Sequence, residues 1–145
     1  MMKMRTILYA EDSLLDVEMT TEVLKESNIL NPIINVKDGV EALEYLRCEG
    51  QFKNRTPGNP GMILLDLKMP RMDGLEFLAI VKQDKNFKHI PIVMLTSSRE
   101  EKDLIMSYDL GLNAYVVKPI DFQDFATVVK QLGVFWAIIN ELPEV

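Results

Sequence analysis

Four consecutive apolar residues, Met62-Ile63-Leu64-Leu65, run directly into a carboxylate, Asp66, and the chain then breaks at Met69-Pro70 and Asp73-Gly74. A short, unalternating apolar run bounded by turn residues reads as a strand buried on both faces, and such strands belong in a parallel sheet covered by helices on either side. Asp66 therefore falls at the C-terminal end of a buried strand. In an open α/β sheet that end borders the crevice where ligands and chemistry sit. A lone aspartate there can equally cap the following turn, so its meaning depends on what the rest of the chain brings to the same rim.

Four further runs have the same character. Thr6-Ile7-Leu8-Tyr9-Ala10 ends at Glu11-Asp12-Ser13, after which Val17, Thr21 and Leu24 repeat with helical spacing. Ser13 and Asp16 have capping-box spacing there. Ile33-Ile34-Asn35-Val36 is followed by Asp38-Gly39 and a helix carrying Val40, Leu43 and Leu46. Arg47 to Gly61 is polar and rich in Gly and Pro, a surface loop by composition. A helix from about Gly74 places Leu75, Leu78 and Val81 on one side. Pro91-Ile92-Val93-Met94-Leu95 stops at Thr96, and a helix is predicted over Glu100 to Leu110 with Gly111 as its C-terminal cap. Ala114-Tyr115-Val116-Val117 ends at Lys118-Pro119, and Asp121 is positioned to cap a last helix with Asp124 three residues on. Five strands alternating with helices over short links call for one parallel sheet with both faces covered.

With 145 residues, the chain suits one domain with a sizeable core. Its net charge of -6, with no long basic block, leaves no footprint for binding nucleic acid directly. The apolar run behind the N-terminal Lys3 and Arg5 is too short for a signal peptide or a membrane span. Cys48 is the sole cysteine, which rules out an intrachain disulfide and fits a reducing cytoplasm. With one histidine, His89, it makes a poor zinc site.

The chemistry lies in what ends each strand. Glu11 and Asp12 follow the first, Asp66 ends the third, Thr96 the fourth, and Lys118 follows the fifth. In a parallel sheet these ends share one rim. Three carboxylates in one place raise each other's pKa unless a cation sits among them. Mg²⁺ suits the role, since it takes oxygen ligands and commonly combines one or two carboxylates with phosphate oxygens. A phosphoryl group would complete such a site: an aspartate can attack phosphorus to form an acyl phosphate, metal and Lys118 would neutralise the phosphoryl oxygens, and Thr96 could donate a hydrogen bond to them.

In these residues the chain resembles the receiver domain of two-component response regulators over nearly its whole length. The resemblance rests on the acid pair, the Asp66-x-x-Met69-Pro70-x-x-Asp73-Gly74 run, Thr96 and Lys118-Pro119, four motifs in register. It implies a flavodoxin-like, doubly wound (βα)5 fold with sheet order 2-1-3-4-5. It implies that Asp66 accepts a phosphoryl group from a phosphohistidine on a sensor histidine kinase in a cytoplasmic phosphorelay. It further implies that Glu11, Asp12, Asp66 and the backbone carbonyl of Lys68 hold Mg²⁺, that the peptide before Pro119 is cis, and that Thr96 and Tyr115 form a switch pair. Read alone, Tyr115 is a half-buried strand aromatic. Glu11 departs from the aspartate frequent in the family. The Arg47–Gly61 loop and the tail, Gly133-Val134-Phe135-Trp136 with Leu142-Pro143, look like those of single-domain regulators paired with bacterial phytochrome-type kinases.

On this reading residues 1–145 form a single receiver domain, with a core over about 5–132, an extended helix or tail over 133–145 and no output domain. The last helix carries one apolar stripe through Phe122, Phe125, Val129, Leu132, Trp136 and Ile139, and a second through Val128, Phe135, Ile138 and Leu142. One helix on one sheet does not need so wide an apolar arc, so the second stripe is expected to pack against another copy, as a homodimer, or to fold over its own domain. Two other classes compete with a signalling module that is not itself an enzyme. Aspartyl-phosphate phosphatases favour a second aspartate two residues after the nucleophile, where this chain has Lys68. A flavin-binding flavodoxin-like module would carry a Ser/Thr/Gly-rich phosphate loop after the first strand, where this chain has acids. A receiver that has lost phosphorylation would lack the acceptor, the lysine or the acid pair, and all are present.

Overall fold

The computed structural model describes residues 5–26, 29–97 and 114–131. Its strands are β1 (Ile7–Ala10), β2 (Ile33–Val36), β3 (Met62–Asp66), β4 (Ile92–Thr96) and β5 (Tyr115–Val117), and its helices α1 (Leu14–Glu26), α2 (Gly39–Arg47), α3 (Gly74–Lys82) and α4 (Phe122–Gln131). The strands form one sheet in the order β2-β1-β3-β4-β5, every pair parallel. This is the α/β architecture and strand order expected. The helix predicted over Glu100 to Leu110, with its cap Gly111, lies outside the described residues.

The continuous apolar runs are explained by a core on each side of the sheet. Leu8, Ala10, Ile63, Leu65 and Met94 point to one side, where α2 and α3 cover them with Ala42, Leu43, Phe77, Leu78 and Val81. Ile7, Tyr9, Met62, Leu64, Val93 and Leu95 point to the other and meet Leu24 of α1 and Phe125 of α4. β1, β3 and β4 are buried along their whole length. No residue of theirs faces water, so an apolar side chain is stable at every position.

Helix starts are set by side chains that satisfy the first backbone N–H groups. Asp38 caps α2 by accepting from Glu41 N, Asp73 and Glu76 form a reciprocal capping box on α3, and Asp121 accepts from Gln123 N and Asp124 N ahead of α4. On α1 the box is only half made. Ser13 Oγ accepts the Asp16 N–H at 3.3 Å, but the Asp16 carboxylate turns away to a different partner.

The Arg47–Gly61 loop is more firmly held than its composition predicts. A 3₁₀ turn at Gly50–Phe52 sets the Phe52 ring edge-on to Tyr45 at 5.1 Å. Arg55 donates from Nε to the Tyr45 carbonyl at 2.6 Å with its guanidinium 4.0 Å over the Tyr45 ring. Pro60 and Gly61 are buried where the loop enters β3. One aromatic and one arginine thus anchor an otherwise polar segment onto α2.

Candidate functional site

Because β1, β3, β4 and β5 are adjacent and parallel, their C-terminal ends lie side by side. The register pairs Ala10 with Leu65, Asp66 with Leu95 and Thr96 with Val117. Glu11, Asp66, Thr96 and Lys118 therefore come from neighbouring positions along one rim.

Carboxylate oxygens of Glu11, Asp12 and Asp66 lie within 4.8 Å of one another. Glu11 and Asp66 are buried and Asp12 is exposed, so the trio opens to solvent on one side. Lys118 Nζ reaches Glu11 Oε1 at 2.8 Å, Asp16 Oδ2 at 2.8 Å and Asp66 Oδ1 at 3.0 Å. Glu11 also accepts from Ser13 N through its other oxygen at 3.2 Å. Its extra methylene, relative to aspartate, is thus taken up by spanning Lys118 and the start of α1.

The electrostatics follow from this crowding. Burial, with the neighbouring Asp66 charge adding to it against the Lys118 hydrogen bond, pushes the Glu11 carboxyl up to about 7. Burial likewise raises Asp66, opposed by Lys118. Lys118 keeps its proton: burial works against the charged form, and the three carboxylates more than compensate, raising its pKa. One ammonium against four acids leaves the rim electron-rich. The donor set is carboxylate oxygen alone, which fits a hard divalent cation such as Mg²⁺.

The loop after Asp66 is fixed by its backbone. Leu67 N donates to Leu95 O, and Gly74 N donates back to Leu67 O at 2.9 Å. A Cβ on Gly74 would overlap the Asp66 carbonyl oxygen, so α3 can start this close to the rim only from glycine. Arg71, at φ 60°, donates to both Asp38 oxygens, Nε at 2.7 Å and Nη2 at 3.2 Å, and Gly39 N donates to Met72 O. The loop carrying Lys68 is thereby clamped to the N-terminus of α2. Lys68 itself is exposed.

Thr96 is completely buried, and its hydroxyl has no hydrogen-bond partner among the described residues. Its carbonyl accepts from Lys118 N at 2.7 Å. The Lys118-Pro119 peptide is cis, as the resemblance implied. Tyr115 is half-buried against the core on the α2–α3 side. Val128 packs in part on the core of its own domain. Phe135, Ile138 and Leu142, the other proposed interface residues, lie outside the described residues.

Asp16 was missed as a site residue because its spacing from Ser13 already suggested a cap. The available signal was its place in the first turn of α1, directly after the strand end that carries Glu11 and Asp12.

A family model described as the response regulator receiver domain matches residues 7–130. Response regulator Rcp1 of Synechocystis sp. is 40% identical over 139 residues, covering 96% of this chain and 93% of Rcp1. A crystal structure of Rcp1 in a Mn²⁺-bound form superposes with a TM-score of 0.71 at 39% identity, covering 97% of this chain and 99% of that one. The bacteriophytochrome response regulator AtBRR superposes with a TM-score of 0.91 at 49% identity, covering 96% of this chain and 99% of that one. The phosphorylated cyanobacterial phytochrome response regulator RcpA gives 0.74 at 36% identity, covering 97% and 98%. Among the described residues no helix is long and apolar enough to cross a membrane.

Proposed function

Since this chain belongs to the response regulator receiver family, we propose that it works as a receiver module in a phytochrome-type two-component pathway, taking a phosphoryl group on Asp66 from a sensor histidine kinase. The observation that carries this reading is the convergence of Asp66, two further acids, a triply paired lysine and a buried unpartnered hydroxyl on one rim. The phytochrome assignment is supported by AtBRR and RcpA, both phytochrome response regulators and both covered almost end to end by this chain.

In the transfer, an Asp66 carboxylate oxygen forms a bond to phosphorus as the P–N bond of the donor phosphohistidine breaks. The imidazole leaves with its electron pair and takes a proton from solvent, and an acyl phosphate remains on Asp66. Mg²⁺ held by Glu11, Asp12, Asp66 and the Lys68 carbonyl would neutralise the phosphoryl oxygens. Lys118 follows the Asp66 carboxylate as it becomes an acyl phosphate and pairs with a phosphoryl oxygen. The Thr96 hydroxyl donates to another, and that new bond, with inward rotation of Tyr115, biases the domain toward its signalling surface. Self-association through the last helix is part of the same reading, supported by the second apolar stripe, and is tested by sedimentation with and without a phosphoryl mimic.

Acetyl phosphate supplied with Mg²⁺ is expected to add the mass of one phosphoryl group, read by intact-protein mass spectrometry. The gain should vanish in Asp66→Asn and when Mg²⁺ is chelated. Labelling that survives in Asp66→Asn would refute the acceptor assignment.

A further inference from the structure

An ammonium has three N–H donors, and Lys118 turns them to carboxylates, donating to Glu11 and Asp16 at 2.8 Å each and pairing with Asp66 at 3.0 Å. Two of these partners belong to the trio whose oxygens lie close enough to share a cation, and the third does not. When a divalent cation enters the trio it draws on the same carboxylates, Glu11 and Asp66, and repels the ammonium beside them. Asp16 alone keeps an uncommitted charge for Lys118. It is also well fixed: it sits in the first turn of α1, its N–H held by Ser13 Oγ, on a helix seated in the core through Thr20 and Leu24.

We propose that Asp16 is a positioning residue that keeps Lys118 at the Asp66 rim while a divalent cation occupies Glu11, Asp12 and Asp66. The proposal rests on the receiver reading given above and extends it to a residue outside the acid trio. By drawing the ammonium toward α1, Asp16 lets Glu11 turn to the metal without Lys118 competing for it. Without Asp16, lysine and metal contend for the same two carboxylates.

The test is Mg²⁺ binding to the full chain, with no phosphodonor present. Calorimetric titration of Asp16→Asn is expected to give a dissociation constant raised about threefold to fivefold, the range of one half-exposed ion pair. Glu18→Gln removes the same charge from the exposed face of α1 and is expected to leave the constant unchanged. In ¹⁵N-lysine-labelled wild type saturated with Mg²⁺, the Lys118 ammonium resonance is expected to persist, shielded from exchange by Asp16, and in Mg²⁺-loaded Asp16→Asn to broaden into the bulk lysine signal. Equal constants for wild type and Asp16→Asn, equal losses in Asp16→Asn and Glu18→Gln, or loss of the Lys118 resonance in Mg²⁺-loaded wild type would each overturn the proposal. A wild type that binds no Mg²⁺ would overturn the receiver reading beneath it as well, so the two failures are separable.

Discussion

Replacing Thr96 with valine should leave the resting protein as stable as before or make it more so, while removing its response to phosphorylation. Thr96 is fully buried at the end of β4, and its hydroxyl has no partner among the described residues. A buried hydroxyl left without a hydrogen bond costs about 1–3 kcal/mol. Valine has nearly the same shape, is as much at home in a strand, and replaces the unpartnered oxygen with a methyl group that buried surroundings favour. Removing most of that cost gives an expected gain of about 1–2 kcal/mol, or about 2–8 °C in Tm for a domain of this size. Urea unfolding followed by circular dichroism measures it directly. Phosphorylation with acetyl phosphate should still label Asp66, yet the conformational response, read as the change in backbone chemical shifts on labelling, should shrink sharply. A Thr96→Val protein destabilised by more than about 1 kcal/mol would show that the hydroxyl already has a resting partner, and the reasoning would fail.

Three other outcomes follow from the same geometry. Glu11, pushed up to about 7 mainly by burial, holds a proton in the folded state where the unfolded chain would not, so its contribution to stability without metal is full below the ordinary carboxylate range and is lost as pH rises through about 7. A cation must displace that proton, so the Mg²⁺ dissociation constant should fall by up to about tenfold per pH unit below 7 and level off above it; a flat titration between about pH 5.5 and 8 would contradict this. Asp38→Ala removes both the α2 cap and the acceptor for Arg71, and should cost about 2–3 kcal/mol in urea unfolding, against less than about 1 for Arg71→Ala, whose side chain is half in water. Gly74→Ala would ordinarily gain about 1 kcal/mol in a helix, but its Cβ would overlap the Asp66 carbonyl oxygen and lie 3.1 Å from Leu67 Cα. These are backbone atoms that cannot step aside cheaply, so a net loss of about 1–2 kcal/mol is expected, with slower labelling of Asp66.

The strands could be read from the sequence because a sheet buried on both faces demands apolar residues at every position, and the runs ending at Ala10, Leu65 and Leu95 supply them. Once those strands are parallel, the rim of Glu11, Asp66, Thr96 and Lys118 follows from which residue ends each run. Contacts that join a strand end to a helix could not be read in the same way. Asp16 looked like a partner for Ser13, and only the seating of α1 turns its carboxylate to Lys118. The clamp between Arg71 and Asp38 joins two turns far apart in sequence, and neither residue carries a local pattern that announces it. In the Arg47–Gly61 loop, polar composition concealed the contacts of Arg55, over the face of Tyr45, and Phe52, edge-on to it, because two side chains suffice to anchor a segment that is otherwise hydrated.

The site holds two separate electrostatic costs, and each would be relieved by one step of the proposed function. Buried Glu11 and Asp66 share a single ammonium with Asp16, which leaves the acids under-neutralised. A divalent cation that binds the folded chain and not the unfolded one would stabilise it by about 2.7 kcal/mol at a hundredfold excess over its dissociation constant. The buried Thr96 hydroxyl is the second cost, and an acceptor oxygen on Asp66 would remove it. A ligand shifts a two-state equilibrium only through interactions it makes better in one state than in the other. A hydrogen bond to a hydroxyl that has no partner among the described residues is such an interaction, because the gain adds to the penalty removed. Under the proposed function, the driving force of the switch would therefore reside in what β4 leaves unsatisfied, and β1 and β3 would supply the charge that makes metal a condition for engaging it.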